Sequence, residues 1–141
     1  MRLRRGWLLL AVLLIAGPAA AGSATRLVAS GFALERPEPD AARRGAYDQT
    51  ALTIFSPRLN FWVDLSDLQP GDHLVLGLRG PDGAVMAARD IPIPLAKDRY
   101  FAFAGAYRPS RGWSPGPYTG KVQVTRGDLI VIEQTNQIAL P

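Results

Sequence analysis

The 141-residue chain contains no cysteine, a single histidine and two lysines. The first absence excludes disulfides and thiol chemistry, so an apolar core must hold the fold unaided. The second removes the usual hydrolytic metal sites. Zinc enzymes use two or three histidine ligands, and neither H-E-x-x-H nor a comparable pair can be written from His73 alone. No G-x-S-x-G elbow and no phosphate-binding glycine loop is present, and the glycines fall at turns, where backbone freedom accounts for them. His73 follows a Pro-Gly-Asp turn on the expected solvent side of a strand and reads as an exposed structural residue. Asp64, Asp67 and Asp72 lack the EF-hand spacing and its glutamate. Paired carboxylates of the glycosidase kind need a set separation, and among twelve acids some pair always falls close. The sequence therefore reads as non-catalytic, with no cofactor and no metal.

Long apolar runs are scarce as well. The one that stands out is at the start: a basic head of Arg2, Arg4 and Arg5, ten apolar residues from Trp7 to Ala16, a Gly17-Pro18 break and the small residues Ala19 to Ala21. These are the parts of a secretory signal peptide in their proper order. The run is far short of the ~20 residues of a spanning helix. Residues 1–21 are thus expected to be cleaved, and the mature chain to be periplasmic or secreted, with no transmembrane segment. Three of the sixteen basic residues leave with the leader, so thirteen face twelve acids and the mature net charge is +1. The remaining arginines are scattered among acids, which excludes the sustained basic stripe that nucleic-acid binding needs. The absence of cysteine in an exported chain favours a bacterial periplasm over a eukaryotic secretory route.

What the rest of the chain does have is short apolar alternation punctuated by Gly, Pro and Asp. That pattern belongs to an antiparallel all-β domain. Strands are expected at residues 27–34, 50–55, 61–65, 73–79, 84–91, 100–106, 118–125 and 129–140, with a polar, mobile surface loop at 35–48. Seven or eight strands in about a hundred residues match an immunoglobulin-like antiparallel β-sandwich. The division is residues 1–21 as leader, 22–48 as N-terminal strand and polar loop, and 49–141 as the sandwich. The period-two positions assign Leu52, Ile54, Phe61, Val63, Leu74, Leu76, Leu78, Phe101, Phe103, Val122, Val124, Ile130 and Ile132 to the core. Gln134 and Asn136 share the inward parity of the last strand, so a bulge is expected near Gln134 to re-aim it.

The turn-rich segment from Arg108 to Pro117 carries the candidate binding residues. Tyr107, Arg108, Arg111 and Trp113 gather there, and Tyr, Trp and Arg are the side chains most enriched at interface hot spots. Trp113 either anchors a partner or folds back to plug the open end of the sandwich. Trp62 is expected to be buried between the sheets or under the N-terminal loop.

The runs LQPGD (68–72), LRGPDG (78–83), WSPGPYTG (113–120) and TRGD (125–128) resemble the immunoglobulin-like accessory domains that precede lysostaphin-type zinc endopeptidases in Gram-negative bacteria. The resemblance spans roughly residues 50–140. The peptidase and its zinc histidines are absent, so its activity does not transfer. What the resemblance implies is a free-standing envelope module of the kind elsewhere joined to cell-wall enzymes. The expected function is that of a non-catalytic binding or adaptor module, its partner an envelope protein or a cell-wall polymer. The alternatives are a structural subunit or chaperone that pairs strands through an exposed edge, and a carboxylate-based hydrolase.

Overall fold

The computed structural model describes residues 24–141; the expected leader, residues 1–21, lies outside them. Seven strands and one short helix follow in the order β1 (Arg26–Ala33), α1 (Pro39–Arg43), β2 (Arg58–Leu68), β3 (Asp72–Arg79), β4 (Val85–Pro92), β5 (Lys97–Tyr107), β6 (Gly116–Arg126) and β7 (Leu129–Leu140). They form two antiparallel sheets, β1-β2-β5 and β4-β3-β6-β7. This is an immunoglobulin-like sandwich, as the alternation predicts. Among the described residues no helix is long and apolar enough to cross a membrane.

The central strands supply the core by strict alternation. Leu74, Leu76 and Leu78 of β3 face Leu59, Phe61, Val63 and Leu65 of β2, with Val122 and Val124 of β6 beside them, all fully buried. Each such side chain contributes roughly 1.5–3 kcal/mol. The sheets close tightly over Gly120, where a Cβ would overlap the Phe61 ring. At the start of β6 the buried Tyr118 donates its hydroxyl to the Ser114 carbonyl at 2.8 Å. A tyrosine bonded a few residues upstream at this corner is a hallmark of immunoglobulin-like sandwiches. The LQPGD turn closes through Asp72, which accepts from the Gln69 backbone at 2.8 Å and from two nitrogens of Arg126 at 2.8 and 3.0 Å.

Four expectations fail in informative ways. Residues 50–55 form no strand; they belong to the long connection between β1 and β2, with Leu52 buried but Ile54 59% exposed. In β5 the parity is reversed. Ala102 and Ala104 point inward, while Phe101 and Phe103 lie on the outer face. That outer face is itself covered, because residues 35–48 are an ordered cap containing α1. Ala42 and Tyr47 of the cap pack on Trp62, and Trp62 stacks on Phe101 at 5.8 Å. The large aromatics of β5 are thus half-buried on the second face, and small alanines suit the crowded first. The fourth failure is at the C-terminal hairpin. Its register shift falls between Val124 and Thr125, opposite Val131, three residues before the expected position. Ile132 packs against the core, but Ile130 stays half exposed at the hairpin end. Asn136 accepts from Ser30 of β1 and from Gln134, so these amides seal the seam between the two sheets.

Candidate functional site

Three connections meet at one end of the sandwich: residues 34–57, 80–84 and 108–115. In the first, Thr53 to Ser56 is a tight turn. The Ser56 backbone N–H donates to the Thr53 carbonyl at 3.0 Å and the Thr53 N–H to Ser56 Oγ at 2.9 Å. Ser56 is buried, which leaves Ile54 and Phe55 at the apex, Phe55 being 78% exposed.

The third connection is pinned to the first. Trp113 is buried and donates its indole N–H to the Ser56 carbonyl at 2.6 Å, while its ring meets Tyr118 edge-on at 5.6 Å. Arg108 donates its backbone N–H to Pro57 and its guanidinium to the Phe55 carbonyl, at 2.9 and 3.1 Å. A turn from Pro109 to Gly112, with Gly112 at φ +81°, carries the chain round between them. Tyr107, the last residue of β5, is 74% exposed, and the Arg58 guanidinium lies 4.9 Å over its ring. Arg111 is exposed on the other side of the loop, beside Pro81 and Asp82.

Of the four residues singled out in the sequence, Tyr107, Arg108 and Arg111 therefore reach the surface. Trp113 is the plug, stapling two loops together from beneath. Phe55, Ile54 and Arg58 were not foreseen. The signal for them was the unbroken Ile54-Phe55 pair ahead of Ser56-Pro57, where alternation fails and a strand cannot continue. Segments 49–63 and 99–127, which supply these side chains, contain no aspartate or glutamate. The patch is apolar and cationic.

A second constellation lies on the outer face of the three-stranded sheet. Asp64 of β2 is 1% exposed. It accepts from Arg43 through Nε and Nη2, both at 3.2 Å, and from Arg99 of β5. Burial pushes its carboxyl up, but the bonds from Arg43 and Arg99 outweigh that and hold it below the ordinary aspartate value. Trp62 beside it has its Nε1–H buried without a partner, as has the hydroxyl of Ser66. Among the described residues no cluster of three His, Cys, Asp or Glu side chains is arranged to hold a metal ion.

No family model and no curated protein matches the chain. Among solved structures it is similar to part of a beta-glucuronidase from glycoside hydrolase family 2, at 9% identity and a TM-score of 0.38, over 83% of this chain and 11% of that one. The chain thus spans about a ninth of that protein's length.

Proposed function

We propose that this protein is an exported, non-catalytic adaptor of the bacterial cell envelope that docks a protein partner through the loop end of its sandwich. The observation that carries the reading is the exposure of Phe55, on a loop immobilised by Trp113 and Arg108, and of Tyr107 at the end of β5. Large aromatics left in water on a braced scaffold lose little conformational freedom on docking. Flanked by arginines, they have the composition of an interface centre. Charge complementarity gives the partner's chemistry: an apolar recess bordered by carboxylates, to meet Phe55 and Tyr107 with Arg58 and Arg108 around them. The leader-like residues 1–21 support export, and the module resemblance supports an envelope setting.

The test is a comparative capture from the native periplasm, using wild type and a Phe55→Ser/Tyr107→Ser double variant with an unchanged thermal melt. A partner retained by the wild type and lost by the variant is the expected result. A partner held equally by both places the interface elsewhere and overturns the reading.

A further inference from the structure

Over β1 the outer face of the three-stranded sheet is lined by small residues. Ala29, Gly31 and Ala33 stand directly opposite Asp64, Trp62 and Asn60. Trp62 and Ala42 cover Gly31 and Ala33, and beside Ala29 and Ser30 the cap leaves a trough of 580 Å³ walled by Arg43, Arg44, Asp48, Trp62, Asp64 and Arg99. Through Ser30 and Asp48 it continues over β1 into a second recess of 310 Å³, lined by Tyr47, Thr50, Asn136 and Gln137.

The two halves differ in chemistry. In the first, the Asp64 oxygens are already engaged by Arg43 and Arg99. Beyond the Asp48 carboxylate, which borders both halves, the hydrogen-bonding capacity left there consists of donors. Arg44 makes no side-chain hydrogen bond or ion pair among the described residues, Arg99 keeps further N–H groups, and the Trp62 Nε1–H is unpaired. The edge of the indole that carries Nε1 lies on the β1 side, over Gly31, where a Cβ would come within 3.3 Å of it. A buried N–H without a partner costs free energy that an incoming acceptor recovers. The second half is made of amides and hydroxyls, which both donate and accept, and the Asp48 carboxylate, which accepts. Such groups match the hydroxyls of a sugar, which do both.

We infer that this trough is a binding site for an acidic oligosaccharide, with a uronate carboxylate taken by Trp62 Nε1 and the free guanidiniums of Arg44 and Arg99, and the neighbouring ring's hydroxyls taken by the Thr50, Asn136 and Gln137 side. The faces of Trp62 are occupied by Phe101 and Tyr47, so the indole recognises the ligand through its N–H edge and not by stacking. The site shares no lining residue with the docking surface proposed around Phe55 and Tyr107 and is independent of it.

The experiment is an ¹⁵N-resolved titration of the indole N–H signals with trigalacturonate. Trp113, already bonded to Ser56, serves as the internal reference. The expected result is a saturable shift of the Trp62 signal with Trp113 unmoved. Binding should weaken about tenfold in Arg44→Gln, the loss of one charge-assisted contact. Arg44 is exposed at the surface, so this variant keeps its fold; a Trp62→Phe variant that melts normally should lose binding as well. No shift at saturating ligand overturns the inference. So does an equal response to acetate or to neutral galactotriose, which would mark a bare anion site or an unselective sugar site. Tighter binding of triglutamate would overturn it in favour of an acidic peptide.

Discussion

Trp113 holds two loops together by one hydrogen bond and one edge-on ring contact, and what it lacks is a face in water. Its value to binding is indirect: it fixes the turn from which Phe55 projects. Trp113→Ala should therefore lower stability by roughly 3–5 kcal/mol, the usual cost of truncating a buried tryptophan, as read by chemical denaturation. A loss below about 1 kcal/mol, the size of an exposed substitution, would mean the indole is not the plug the geometry makes it. Phe55 is the opposite case. Its side chain stands almost free of the fold, so its removal should leave the melt unchanged. From sequence alone the two aromatics could not be sorted, because both sit in turn-rich segments. Their roles depend on whether a backbone carbonyl, here that of Ser56, is waiting within reach.

At the scale of the elements, β3 was fully legible and β5 was not. In β3 one face meets the core and the other meets water, so alternation of hydrophobicity reports orientation directly. In β5 both faces are covered, one by the opposite sheet and the other by the cap, so hydrophobicity ceases to say which side is in. Size then decides. Phe101 and Phe103 pack on Trp62 and beneath Arg36, while Ala102 and Ala104 fit the narrower interior. The same narrowness governs β6, where Gly120 lies directly against the ring of Phe61. Gly120→Ala should force the two sheets apart and cost about 1–3 kcal/mol despite the better intrinsic strand preference of alanine. Equilibrium unfolding measures it; a neutral or stabilised variant would mean that the interior has slack.

For the molecule as a whole, two buried aspartates make stability depend on pH. Burial raises both carboxyls, but Arg43 and Arg99 at Asp64, and Arg126 with the Gln69 N–H at Asp72, bring them net below 3.8. Because the folded values are depressed, their contribution is fully present above the unfolded value and is lost as pH falls through the folded ones. An acid titration of stability should thus stay level to about pH 4–5 and then decline. Asp72→Asn should flatten part of the decline and cost about 1.5–3 kcal/mol at neutral pH, through its charge-assisted bonds. A wild-type profile without loss between pH 4 and 2 would refute this account. Turn chemistry and period-two patterning in the sequence determined the fold class, the two hairpins and most of the central core, because those signals are local and each residue carries its own. Only the tertiary structure decided that residues 35–48 fold over Trp62, that Trp113 turns inward while Phe55 turns out, and that Asp64 gathers arginines from α1 and β5. Those arrangements join segments 15 to 57 residues apart, and a contact between distant residues leaves no periodic trace in either of them.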